Sequence, residues 1–180
     1  MGTAVTSLTI EKYLELPEGQ TQRTELVRGA VVPRGTAKFS HERIKTLILE
    51  ALLTYLAPRK QFKVLSETAY QLGHEDARIP DVSILSVKRF NEADPDRLLK
   101  GSPELAVEIV SSESADDLDA KVTLYLGHGA QSVWVFYPNH RSVVIYRPDG
   151  TGRRLNGNGT LEEPVLLPGF QLPLQSLFQS

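Results

Sequence analysis

Two acids stand where strand-like sequence leaves little room for water. Residues 104–110, Glu-Leu-Ala-Val-Glu-Ile-Val, read as a strand that is apolar on both faces. Alternation puts Leu105, Val107 and Ile109 on one side, with Ala106, Glu108 and Val110 on the other. An unpaired buried carboxylate is costly, so Glu108 needs a cation, a metal ion, a wet cleft or a proton. A structural ion pair, or a strand end that reaches solvent, also meets that need. Pro80-Asp81 opens a second near-continuous apolar strand, Val82-Ser83-Ile84-Leu85. Taken alone, Asp81 reads as a turn residue bonding its own backbone. If the two strands are neighbours, however, Asp81 and Glu108 approach each other. Close carboxylates repel unless a divalent cation or a shared proton lies between them. All-oxygen ligation points to Mg²⁺ or Mn²⁺. Downstream, Lys121 is the only cation among Asp116, Asp117 and Asp119. By itself it reads as a helix-surface lysine four residues from Asp117.

The elements that must position these groups can be read in order. Residues 9–16 carry apolar residues at helical spacing up to Pro17, and a turn at Glu18-Gly19 follows. Residues 24–27 and 30–32 flank Arg28-Gly29 and predict a β-hairpin. Ser40 is placed to cap a helix in which Ile44, Leu47, Ile48, Ala51, Leu52, Tyr55 and Leu56 keep the 3.6-residue period until Pro58. Strands are expected over 62–72, 79–86 and 104–110, with a polar loop at 91–101. A helix over 114–126 opens with acids, which suits its dipole, and strands over 133–137 and 143–147 follow. The tail has a turn-rich segment at 149–160 and an apolar stretch ending in Leu167-Pro-Gly-Phe170. This order predicts a mixed α/β sandwich around one sheet.

Several of these residues together resemble a known family. Glu25-Leu-Val-Arg-Gly29, His41 at the start of the long helix, Pro80-Asp-Val-Ser83, Glu104-Leu-Ala-Val-Glu-Ile-Val-Ser111, Lys121-x-x-x-Tyr125, Gly129 before Val133-Trp134, and Leu167-Pro-Gly-Phe170 occur in order. In this respect the chain is similar to the Uma family of restriction-endonuclease-like proteins, a domain of unknown function with a PD-(D/E)XK nuclease fold. The resemblance runs over about residues 9–178. It implies an αβββαβ core, with a mixed central sheet flanked by helices and an N-terminal β-hairpin. It also implies that Asp81 and Glu108 hold Mg²⁺ or Mn²⁺ and that DNA phosphodiester bonds are the substrate. The lysine expected two residues after Glu108 is replaced by Val110, and Lys121 matches a migrated lysine on the next helix. Ser112 departs from the family, which usually has proline there. Glu25 matches a recurring acid that is either a third carboxylate at the site or a partner of Arg28 or Arg23. His41 matches a recurring histidine for which phosphate contact, proton transfer and packing all stay open.

Composition bounds the alternatives. The 180 residues are 41% hydrophobic, enough for a full core, and one domain over 1–180 is expected. The absence of cysteine removes disulfides, thiolate metal sites and cysteine nucleophiles. No apolar run nears the roughly 18 residues of a membrane span, and no signal peptide is evident, so a cytoplasmic protein without a membrane partner is expected. His74, His128 and His140 lack metal-type spacing, and no phosphate loop, HExxH or GxSxG pattern occurs. Charge is uneven: residues 23–45 hold six Lys and Arg against two Glu, whereas 104–119 hold six acids and no base. The first segment suits phosphates and the second a metal-attracting mouth, although solvated surface accounts for both. The reading is therefore a Mg²⁺-dependent endodeoxyribonuclease using Asp81, Glu108, Lys121 and Glu25. Its alternatives are a non-catalytic module of the same fold and a nuclease subunit that relies on a protein partner for DNA recognition. A homodimer stays open.

Overall fold

The structure, a computed structural model, describes residues 7–111 and 113–179; Ser112 therefore lies outside the described residues. Thr9 caps α1 (Ile10–Leu14), and the expected turn at Glu18-Gly19 is instead a single helical turn, α2 (Glu18–Thr21). The hairpin forms as β1 (Thr24–Val27) and β2 (Ala30–Pro33). Arg28 and Gly29 both take positive φ at its turn, as a type I′ connection requires. A Cβ on Gly29 would lie 1.9 Å from Ser7 Oγ and 2.8 Å from the Leu8 nitrogen. Gly29→Ala is accordingly expected to cost more than about 2 kcal/mol, read as a fall in the urea midpoint at unchanged m-value.

The long helix α3 (Phe39–Leu56) starts two residues earlier than Ser40 capping predicts: Lys38 is the cap residue and makes no side-chain capping bond. Ile44, Ile48, Leu52 and Leu56 recur every four residues and bury one stripe. The expected 62–72 strand divides into β3 (Phe62–Ser66) and β4 (Tyr70–Gln71), because Glu67 adopts φ +48 and leaves the extended region. The strand expected over 79–86 is shorter, β6 (Val82–Ser86), and a separate two-residue strand, β5 (Ala77–Arg78), precedes it across a break. Pro80, which has no N–H for a ladder, stands at the break. The expected loop at 91–101 contains the end of α4 (Val87–Glu92) and the short β7 (Leu99–Lys100).

Then come β8 (Leu105–Ile109), α5 (Ala115–Gly127), β9 (Ser132–Tyr137) and β10 (Ser142–Tyr146). The turn-rich segment carries β11 (Gly152–Asn156), and the apolar tail forms β12 (Thr160–Glu163), β13 (Leu167–Pro173) and α6 (Leu174–Phe178).

The central sheet runs β11-β10-β9-β8-β6-β3. All its pairs are antiparallel except β8 with β9, which α5 connects. With α3 and α5 on opposite faces, this is the expected αβββαβ order. Leu105, Val107 and Ile109 join the α3 cluster, whereas Ala106 and Val110 join the α5 cluster, as strand alternation predicts. A second sheet, β2-β1-β5-β4-β7, carries the hairpin, and Ile10 and Tyr13 of α1 pack with its Leu26 and Ala77. On the α3 side, β12 and β13 close the core. There Glu163, fully buried, accepts hydrogen bonds from Trp134 Nε1 (3.3 Å) and Arg147 (2.7 Å).

Candidate active site

Antiparallel pairing of Val82 with Val107 carries Asp81, one residue before β6, alongside Glu108 of β8. Asp81 is fixed from three directions. Its Oδ2 accepts the Ile109 N–H at 2.8 Å and lies 3.2 Å from His41 Nε2, and its Oδ1 accepts from Arg34 at 3.3 Å. Across the cleft, Lys121 and Tyr125 stand one turn apart on α5 and face Glu108 together. Tyr125 donates its hydroxyl to Oε1 at 2.8 Å, and Lys121 Nζ is 3.5 Å from Oε2. The Lys-x-x-x-Tyr spacing is therefore the spacing of two donors to one carboxylate.

Glu25, on β1, enters from the second sheet. One of its oxygens accepts the Ile79 N–H at 3.0 Å and lies 3.5 Å from Lys121; the other meets Arg78 at 3.4 Å. Glu25 thus lies beside Lys121 and also pairs with an arginine. Its arginine partner is Arg78 rather than Arg28 or Arg23. Lys121 also lies 3.6 Å from Glu113, so it bridges three carboxylates. The surface pairing of Lys121 with Asp117 is not formed: Lys121 is only 8% exposed, and Asp117 instead closes the helix cap with Ser114. Val110, where a lysine is expected, lines a different cavity on the far side of the start of α5.

The charges are unbalanced in a way that matters. Burial pushes the Glu108 carboxyl up to about 7; Lys121 pulls the other way, and Asp81 and Glu25 add to the rise. Burial would lower the Lys121 pKa, but Glu108, Glu25 and Glu113 together hold it well above its ordinary value. Lys121 is thus a fixed cation at neutral pH and not a base. Tyr125 is pushed well above its ordinary value, by burial first and then by Glu108, and stays a neutral donor. The hydrogen bond to Asp81 raises the His41 pKa against the opposing effect of burial. His41 Nδ1 is buried without a hydrogen-bond partner among the described residues.

Among the described residues no three His, Asp or Glu groups stand as a ready-made metal-ligand set. Arg34, His41 and Lys121 occupy the oxygens of Asp81 and Glu108 instead. The donor chemistry nevertheless fits a hard divalent ion: two carboxylates on adjacent strands, with Glu108 buried beside Asp81 and Glu25 so that its proton affinity rises. The groups surround a pocket of about 260 Å³ between the hairpin and α5. Sequence reasoning missed four groups near it: Arg34, Lys45, Glu67 and Arg78. Arg34 and Lys45 lie in the basic 23–45 segment, which was a usable signal, and Arg78 sits three residues before Asp81. Glu67, which meets Arg34 at 3.6 Å and Lys45 at 3.3 Å, has no sequence signal, because it depends on the unforeseen strand break. His74 and His140 lie away from the pocket, as expected, and His128 serves as the C-cap of α5.

Comparison with known proteins gives the class first. A crystal structure described as that of "a putative nuclease belonging to DUF820" from Anabaena variabilis ATCC 29413 matches with a TM-score of 0.83. It is 20% identical over 95% of this chain and 97% of that one, so the two share a fold. A family model described as "Uma2: Putative restriction endonuclease" matches residues 10–175, and the chain belongs to the Uma2 family. No curated protein matches. Among the described residues no helix is long and apolar enough to cross a membrane.

Proposed function

We propose that this chain is a divalent-metal-dependent nuclease that hydrolyses DNA phosphodiester bonds at the pocket between the hairpin and α5. The observation that carries the reading is the convergence of Asp81 and Glu108 from paired strands on a buried lysine. Asp81 and Glu108 would hold Mg²⁺ or Mn²⁺. Such an ion supplies Lewis acidity at the phosphoryl group and makes water a better nucleophile at neutral pH. Lys121, a permanent cation, is placed to orient the attacking water and to offset charge that builds on the phosphoryl oxygens. Glu25 holds Lys121 in place through the 3.5 Å contact and keeps Arg78 beside the cluster. Ile109, through its N–H, and His41 orient Asp81. With Lys121 delivered from α5, the absence of a lysine at Val110 is compensated.

Incubation of supercoiled plasmid and single-stranded DNA with Mg²⁺ or Mn²⁺ tests this reading. Wild type is expected to cut the single strand, and the plasmid where supercoiling unpairs it, with rates falling at least about a hundredfold in Asp81→Ala. Chelation of the metal should stop the reaction and re-addition restore it. A folded wild-type protein that cuts neither substrate with either ion would leave a non-catalytic module of the same fold, or a subunit that needs a partner, as the better account.

A further inference from the structure

We propose that the site takes an unpaired DNA strand, such as a single strand, a frayed end or a flap, and excludes intact duplex; this rests on the nuclease reading above. The first observation is depth. The side chains of Asp81, Glu108, Glu25 and Lys121 are 5%, 3%, 7% and 9% exposed. They lie at the floor of a pocket of about 260 Å³, walled by the hairpin on one side and the start of α5 on the other. That volume falls just below the range of ordinary small-molecule pockets, about 300–1,000 Å³. It suits a phosphodiester of one strand rather than a paired unit. A duplex, whose two backbones flank a major groove about 12 Å wide, is too broad to bring both strands into it.

The second observation is the polarity of the rim. Arg23, Arg28 and Arg34 line the pocket from the hairpin and the segment after it; the first two are exposed and Arg34 is half-buried. Opposite them stand Glu113 and Asp117, with Asp116 and Asp119 exposed on the same helix. One phosphate backbone can run along the arginines. A paired second strand on the opposite side would lie against acids, where duplex binding calls for more cations. The protein as a whole, at net charge −2, has no overall positive charge to offset that repulsion.

The third observation is backbone cost. Arg23 and Arg28 both sit in the left-handed region, at φ +56 and +47. Asparagine or glycine would suit the hairpin position of Arg28 better. Strain of this kind gathers at ligand clamps. Here both strained residues line the mouth of one pocket.

The test uses one labelled oligonucleotide as a single strand, as a blunt duplex and as a duplex with one splayed arm, each with Mn²⁺. Single strand and splayed arm are expected to be cut at least tenfold faster than blunt duplex. Fluorescence anisotropy with Asp81→Asn gives a readout independent of turnover. Single-strand affinity should fall with salt at a log–log slope of about −2 for three phosphate contacts, and Arg28→Gln should reduce that slope by about 0.7. Equal or faster cutting of blunt duplex overturns the strand inference and leaves the nuclease reading intact. No cutting of any substrate, with single strand bound at least tenfold more tightly than duplex, overturns the catalytic reading and keeps the strand preference. No cutting and no preference overturns both.

Discussion

Lys121→Met is expected to lower the thermal midpoint by about 10 °C in metal-free buffer, and Mg²⁺ should recover much of that loss without restoring activity. The ammonium lies within 3.6 Å of Glu108, Glu25 and Glu113 and is 9% exposed at the side chain. Removing the cation from a buried ion pair costs about 3–5 kcal/mol, because the buried acids left behind must either stay charged without a partner or take up protons. For a domain of this size each kcal/mol moves the midpoint by about 2–4 °C. A divalent ion drawn to Asp81 and Glu108 would neutralise the same excess charge. At a hundred times its dissociation constant it would return about 2.7 kcal/mol. Differential scanning calorimetry of wild type and Lys121→Met, with and without Mg²⁺, checks this. A midpoint that does not move would mean that Lys121 does not compensate the cluster. Activity that recovers together with stability would mean that its charge has no part in the chemistry.

How far the sequence reached can be judged from particular residues. The alternation of residues 104–110 placed Glu108 on the face of Ala106 and Val110, which the structure packs against α5, because a strand has only two faces. The 3.6-residue stripe of α3 was equally plain. What failed was local and depended on tertiary contacts. Ser40 looks like a helix cap, but the helix begins at Phe39, so Ser40 falls inside it. The run from Phe62 to Leu72 looks continuous, yet its halves belong to different sheets. Glu67 turns the chain between them and thereby reaches Arg34 and Lys45. Arg78 as the partner of Glu25 was invisible for the same reason, since the pair spans β1 and β5, joined only when the second sheet forms. Lys121 shows the other limit. Its spacing from Asp117 fits an ordinary surface pair, and only the docking of α5 on the sheet turns it inward. Asp81 and Glu108 were legible as anomalies of pattern, and Glu25 and Lys121 only through the family resemblance; Arg34, Lys45 and Arg78 were not, because arginine and lysine on a surface look the same as arginine and lysine in a site.

Glu108→Gln should abolish cleavage and at the same time stabilise the metal-free protein, the more so as pH rises. In the folded chain the Glu108 carboxyl titrates at about 7, above the ordinary value of 4.5, chiefly through burial. A carboxyl with a raised folded pKa favours folding when protonated. Its contribution is therefore full below about pH 4.5 and is lost as pH climbs through about 7. Since a tenfold change in proton affinity is equivalent to about 1.4 kcal/mol, wild type loses on the order of 2–3 kcal/mol through this group between pH 5 and pH 8. A glutamine side chain cannot ionise, so the variant escapes that loss. It keeps a carbonyl for the Tyr125 hydroxyl but gives up the charge that faces Lys121. The net gain is thus expected to be smaller, about 1 kcal/mol at pH 8, vanishing near pH 5, where wild type is already protonated. Urea unfolding of both proteins at the two pH values, with chelator present, measures it. Adding Mg²⁺ at pH 8 should reverse the order, since the ion stabilises a protein that can ligate it and has lost a ligand in the variant. A variant that is less stable than wild type at pH 8 without metal would show that Lys121 already neutralises Glu108. The cluster would then be a settled structural ion pair, with no deficit for a metal ion to fill.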